Sequence, residues 1–191
     1  MSEITLIFLI DNSSSLFGIK LAKLDNAFSE IIEEIQDFDK VKLNVAALLM
    51  TGDTSSICKW VIKEPISVNE LHLEPIKAHG HTPLIESLQS VDLWIATNKM
   101  SPNKTILLLM TDGEFGYVDW SSIDKTIHSG CLERCVRIVC LVGSAADDEL
   151  VECLSSGNEY IIRDGEQAPG RIKSVIEKMI SSDCDACRNK S

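Results

Sequence analysis

The chain has 191 residues, of which 45 % are hydrophobic and 25 % charged, values expected of a globular protein that buries its core within one domain. Its 18 Lys and Arg stand against 29 Asp and Glu, a formal net charge of −11, and a chain that repels phosphate overall is a poor candidate for binding nucleic acid. No apolar run approaches the roughly 20 residues that cross a bilayer as a helix, so neither a membrane span nor a membrane partner is expected.

The first apolar run, residues 4–10, lacks a basic flank and leads straight into Asp11 without a small-residue cleavage site. It therefore reads as a buried strand rather than a secretory leader. Over 16–35, Leu21, Leu24, Phe28, Ile31, Ile32 and Ile35 recur at spacings of three and four, which predicts an amphipathic helix. Residues 41–50 form a second strand, closed by the turn signal Thr51-Gly52-Asp53. A third strand over 58–62 follows so closely that antiparallel pairing with the second is expected. Residues 65–81 read as irregular, and Thr82-Pro83 opens a helix through Leu84, Ile85, Leu88, Val91, Leu93, Trp94 and Ile95, with the proline placed where a first turn tolerates it.

The second half repeats the alternation. A buried strand over 105–110 ends at Thr111-Asp112-Gly113, and a helix over 120–129 is stopped by Gly130. Residues 136–142 form a strand and 147–154 a short helix with its acids at the N-terminal end, where the helix dipole favours them. A short strand over 159–162 and a last helix over 168–180 complete the pattern. The expected organisation is one domain over 1–181 and a polar, cysteine-containing tail over 182–191. Strands alternating with helices predict an α/β fold, a doubly wound three-layer sandwich of Rossmann-like type, with a mostly parallel sheet and one antiparallel strand.

Of seven cysteines, Cys58, Cys140 and Cys153 lie in apolar surroundings and read as reduced core thiols, the pattern of a cytoplasmic protein. Cys131 and Cys135 stand four apart, and Cys184-x-x-Cys187 in the tail is half of a zinc site or a redox pair. Trp60 and Trp94 read as core, whereas Trp120 follows the Asp112 loop and fits either core or site rim.

Ligands of doubly wound sheets bind outside the carboxyl ends of the strands, and three polar segments fall there. Asp11-Asn12-Ser13-Ser14-Ser15 follows the first strand, Thr111-Asp112-Gly113-Glu114 follows the fourth, and His79-Gly80-His81-Thr82-Pro83 leads into a helix. Two carboxylates and several hydroxyls, with no Lys or Arg adjacent in sequence to suggest otherwise, describe an all-oxygen site for a hard cation such as Mg²⁺. Ser13 and Ser15 can turn inward together while Ser14 turns away. Taken singly, Asp11 with Ser13 could cap a helix, Thr82 could be a plain cap, and Asp112-Gly113 an ordinary turn.

Together the three segments resemble the metal-ion-dependent adhesion site of von Willebrand factor A domains: Asp-x-Ser-x-Ser, a Thr-Pro-Leu loop, and Thr-Asp-Gly. The organisation is similar over about residues 1–180, and among bacterial members it is most similar to the tellurite-resistance TerY group. The resemblance implies that Asp11, Ser13, Ser15, Thr82 and Asp112 hold Mg²⁺, with Mn²⁺ or Ca²⁺ as alternatives. By the same resemblance the serines and one of Thr82 or Asp112 bind directly, the others act through water, and a partner's carboxylate fills the sixth position. The last helix would then shift when that carboxylate binds.

Two residues depart from the family pattern. Ser14 stands where the family often has Gly. His81 replaces another common Gly, where an imidazole could gate the site, contact a partner, or suit a softer ion such as Mn²⁺. The implied function is a non-enzymatic adaptor that captures a Glu or Asp side chain of another protein, in a tellurite-resistance or stress-signalling system. Its oligomeric state is left open. The alternative is a metal-assisted hydrolase or phosphatase with Asp11 as nucleophile. Against it, Ser13 stands where haloacid-dehalogenase phosphatases carry a second Asp, Ile10 stands where a GDS hydrolase needs Gly, and no Gly-rich phosphate cradle occurs. Nothing in the pattern supplies proton transfer.

Overall fold

The computed structural model describes residues 3–36, 38, 41–52, 57–72, 74–143, 146–163 and 167–188. Side chains of 183–188 lie outside that description, so the expectations for Cys184 and Cys187 fall outside it too, as does Asp53 of the predicted turn. In chain order the elements are β1 (Glu3–Asp11), α1 (Ile19–Gln36), β2 (Lys42–Met50), β3 (Lys59–Ser67), α2 (Leu84–Thr97), β4 (Thr105–Thr111), α3 (Trp120–Ile127), β5 (Val136–Leu141), α4 (Asp148–Leu154), β6 (Ile161–Ile162) and α5 (Ala168–Arg188). The six strands form one sheet in the order β3-β2-β1-β4-β5-β6. All neighbours are parallel except β2 and β3.

The apolar run of β1 is continuous because both of its faces are covered. Leu6, Phe8 and Ile10 point into one core with Leu24, Phe28, Ile31 and Ile35 of α1 and Ile172 and Ile176 of α5. Ile7 and Leu9 point into the other, against Leu88, Val91 and Ile95 of α2, Ile123 and Ile127 of α3, and Leu150 and Val151 of α4. Each such side chain contributes about 1.5–3 kcal/mol on burial, and Phe8 adds an edge-to-face contact with Phe28 at 4.8 Å between ring centroids. The sandwich is therefore α1 and α5 on one face and α2, α3 and α4 on the other, as the alternation predicted.

Several expectations are corrected. β3 runs through Pro65 to Ser67, where the sequence suggested irregular chain from 65 onward. As the sheet's edge strand, β3 has a side without ladder partners among the described residues, and an edge is where a strand tolerates proline. Its pairing with β2 is irregular between Val45 and Leu48, the local disruption that bulged edge strands show. α5 continues to Arg188, past the end at residue 180 that its apolar periodicity suggested. Leu93, placed on the apolar face of α2, is 68 % exposed. Cys58 and Cys153 are half-buried rather than core, while Cys135 joins Cys140 among the buried thiols. Trp94 is core and Trp60 stacks on it at 5.1 Å while only half-buried.

From β1 the chain winds first toward β2 and β3, then returns to the other side of β1 with β4. The reversal point of a doubly wound sheet leaves a crevice at the strands' carboxyl ends. Here it lies between the ends of β1 and β4, where Asp11 and Asp112 emerge.

Candidate metal-ion site

The register pairs Ile10 with Met110, so the next residues along these parallel strands, Asp11 and Thr111, leave the sheet side by side. Thr111 Oγ1 donates to Asp11 Oδ2 at 2.7 Å and accepts from Gly113 N–H at 3.0 Å. The other carboxylate oxygen, Asp11 Oδ1, accepts from Ser13 N–H at 2.9 Å. Asp11 and Thr111 are both 0 % exposed. Burial pushes the Asp11 carboxyl above the usual carboxylate range, and the nearby Asp112 charge adds to the rise against the hydrogen bonds from Ser13 and Thr111. A proton or a cation is thus electrostatically welcome here.

Past Asp11, a 3-10 turn over Ser14–Leu16 swings the hydroxyls into position. Ser13 and Ser15 Oγ lie 2.9 Å apart while Ser14 is exposed, the alternation expected from their spacing. Oxygens on adjacent corners of an octahedron about 2.0–2.1 Å from Mg²⁺ are about 2.9 Å apart. The two hydroxyls, hydrogen-bonded to each other, stand at that same spacing.

The third segment is held against the first by backbone contacts. Ser14 N–H donates to Gly80 O at 3.1 Å, and His79 N–H donates to Asn12 O at 2.7 Å. Buried Asn12 also donates from Nδ2 to Lys77 O at 3.2 Å. Gly80 has φ +72°, and a Cβ there would lie 2.4 Å from Thr51 O. The end of β2 and this loop can approach so closely because glycine stands at the contact. Thr82, half-buried, is delivered with its Oγ1 3.5 Å from Asp11 Oδ1, at the outer limit of a hydrogen bond. His81 is exposed and its backbone packs against Gly52. Pro83, not Thr82, occupies the cap position of α2.

Asp112 is buried, and its Oδ1 accepts from Glu114 N–H at 3.1 Å. Its Oδ2 corrects the expectation of a site without a basic neighbour. Lys20, from the first turn of α1, places Nζ 2.9 Å from Asp112 Oδ2 and 2.5 Å from Glu114 Oε1. Hydrogen bonding to Glu114 and then Asp112 pushes the Lys20 ammonium above its usual value. Lys20, Thr111 and Asn12 are the participants that sequence reasoning missed. Thr111 and Asn12 stood inside the quoted segments, whereas Lys20 looked like one more charge on a helix's solvated face.

Cys131 and Cys135 gather no further ligands: no group of three or more His, Cys, Asp or Glu that could hold a metal occurs among the described residues. Burial, with repulsion from Cys131, pushes the Cys135 thiol up to about 12, which leaves it protonated and inert. Of Asp11, Ser13, Ser15, Thr82 and Asp112, three are hydroxyl residues and two are carboxylates.

No family model matches the sequence. No curated protein matches it either. Solved structures resemble it in fold. A von Willebrand factor type A protein from Catenulispora acidiphila superposes with a TM-score of 0.67 at 16 % identity, over 93 % of this chain and 43 % of that one. Manganese-loaded TRAP protein from Plasmodium vivax gives 0.64 at 17 % identity, over 92 % and 74 %. BatB from Bacteroides thetaiotaomicron gives 0.60 at 14 % identity, over 93 % and 99 %. The chain spans less than half of the Catenulispora protein. At these identities the likeness establishes the fold, that of a von Willebrand factor A domain.

Proposed function

We propose that the chain is a cation-dependent protein-binding module in which Asp11, Ser13, Ser15, Thr82 and Asp112 hold Mg²⁺, or in its place Mn²⁺ or Ca²⁺, and present it to a Glu or Asp of a partner protein. The observation that carries the reading is the 2.9 Å separation of the Ser13 and Ser15 hydroxyls beside two buried carboxylates at the sheet's reversal point. Neutral hydroxyl donors leave a bound ion most of its charge, which is what ligation of a further carboxylate needs. The manganese in the TRAP structure supports a divalent ion in a fold of this kind. The likeness to the TerY group extends the proposal to a cytoplasmic adaptor in tellurite resistance or stress signalling.

Catalysis is not part of this reading. Asp11 is fully buried, with Ser13 N–H, Thr111 and Thr82 directed at its two oxygens, an arrangement that orients a carboxylate within the fold rather than exposing it as a nucleophile. The phosphatase alternative would gain ground from turnover of a generic phosphoester that vanishes in Asp11→Asn.

The test is thermal unfolding in EDTA and in millimolar Mg²⁺ or Mn²⁺. An ion bound by the folded state at about 100 times its Kd stabilises by about 2.7 kcal/mol. The wild type should melt higher with metal, and Ser13→Ala and Asp11→Ala should lose the response. Identical melting of the wild type with and without metal refutes the assignment.

A further inference from the structure

Building on that reading, we infer that Lys20 is the residue that sets the site's cation affinity, by holding the cation-accepting oxygen of Asp112 with its own ammonium until an incoming ion displaces it onto Glu114. Both oxygens of Asp112 are engaged, Oδ1 by Glu114 N–H at 3.1 Å and Oδ2 by Lys20 Nζ at 2.9 Å. An ion recruiting Asp112, directly or through water, meets a tethered positive charge already on the same carboxylate. Lys20 has a second place to go, since Nζ is also 2.5 Å from Glu114 Oε1. Glu114 is exposed, whereas Asp112 is buried, so the two halves of the fork differ in solvation. The ammonium can leave the buried acid and keep the exposed one.

The stem of Lys20 runs beside the loop that follows β5. A Cβ on Gly143, in the loop that follows β5, would lie 3.6 Å from Lys20 Cε, so the chain passes over the carboxyl ends of β4 and β5. The lysine also serves the fold. Asp11, Asp112 and Glu114 crowd one end of the sheet, and Lys20 is the ammonium bonded to two of them. Without it, the buried Asp112 carboxylate keeps the Glu114 N–H but loses its ammonium partner beside Asp11 and Glu114. The lysine therefore trades cation affinity for apo stability.

The experiment is Mn²⁺ binding by calorimetry to the full chain, as wild type, Lys20→Met, Lys20→Arg, Glu114→Gln and the Lys20→Met/Glu114→Gln double variant, with circular dichroism as the check on folding. Lys20→Met should bind Mn²⁺ about tenfold more tightly, because a unit charge close to a divalent ion is removed in a partly screened setting. Lys20→Arg should stay near wild type. Glu114→Gln should weaken binding severalfold, by removing both the ammonium's second seat and an anionic neighbour of the ion, and should weaken it less in the Lys20→Met background, where only the second effect remains. In EDTA, Lys20→Met should melt below wild type, with metal closing the gap.

Wild-type binding with no gain in Lys20→Met, or a Glu114→Gln loss as large in the Lys20→Met background as in wild type, overturns this role and leaves the cation site standing. Absence of Mn²⁺ binding in every variant sinks the cation site itself and this role with it. Lys20→Gln serves in the same comparison if Lys20→Met does not fold.

Discussion

Thr111→Val is the sharpest probe of how the site is built, because it changes chemistry while conserving shape. The Thr111 hydroxyl is 0 % exposed, donates to Asp11 Oδ2 at 2.7 Å and accepts from Gly113 N–H at 3.0 Å. A hydrogen bond to a charged acceptor contributes about 1.5–3 kcal/mol, and an orphaned buried N–H costs about 1–3 kcal/mol. Valine fills the same volume, so no cavity contributes and the total should be about 3–5 kcal/mol. That is a large share of the roughly 5–15 kcal/mol by which domains are stable. Urea unfolding in EDTA, followed by circular dichroism, should show a lower midpoint at unchanged slope. Thr111→Ser keeps the hydroxyl and loses one methyl, so it should cost only about 1 kcal/mol. If Thr111→Val were no more harmful than Thr111→Ser, the hydroxyl would not be what orients Asp11, and the account of the site would fail at its base.

Further outcomes test other joints of the structure. Gly80→Ala should cost at least about 2 kcal/mol, combining left-handed strain with a Cβ 2.4 Å from Thr51 O. Gly18→Ala, with φ +86° and open space around it, should cost only the strain of about 1–2 kcal/mol, and equal losses in urea titrations would discredit the close approach. Arg137 is buried and donates to the carbonyls of Leu132, Leu154 and Ser155. Arg137→Met should lose about 2–4 kcal/mol by orphaning those acceptors, and Arg137→Lys nearly as much because an ammonium cannot span the fork. Since the folded chain holds the Cys135 proton up to about 12 and the unfolded chain releases it near 8.5, stability should fall through that window by roughly 1.4 kcal/mol per pH unit. Chemical unfolding at pH 9 to 11 should show a steeper loss in wild type than in Cys135→Ala, and parallel slopes would refute the burial argument.

Much of the fold is legible in the chain. Runs such as 4–10 and 105–110 are apolar without alternation, which requires cover on both faces and hence a parallel sheet between helix layers. The β3 boundary was not legible, because Pro65 stops a strand in any position but an edge, and edge position belongs to the sheet. The exposure of Leu93 was hidden for a similar reason. A helix's apolar stripe shows which face turns inward, while its neighbours decide how far the cover reaches. Of the candidate site, the placing of Asp11 and Asp112 at strand ends and the spacing of Ser13 and Ser15 are local features that the chain displays, whereas the full set with Thr82 came with the resemblance to the adhesion site.

What the sequence determined by itself was therefore periodic or local: the order of strands and helices, the two-sided burial of the central strands, and which polar residues leave the sheet at its carboxyl edge. What the tertiary structure alone decided was company. Asp112 lies 92 positions from the lysine that neutralises it, and Asp11 lies 100 from the threonine that holds it. Electrostatics acts over ångströms in space, and no periodicity along a chain records which charges the crossovers of a doubly wound sheet bring within that range.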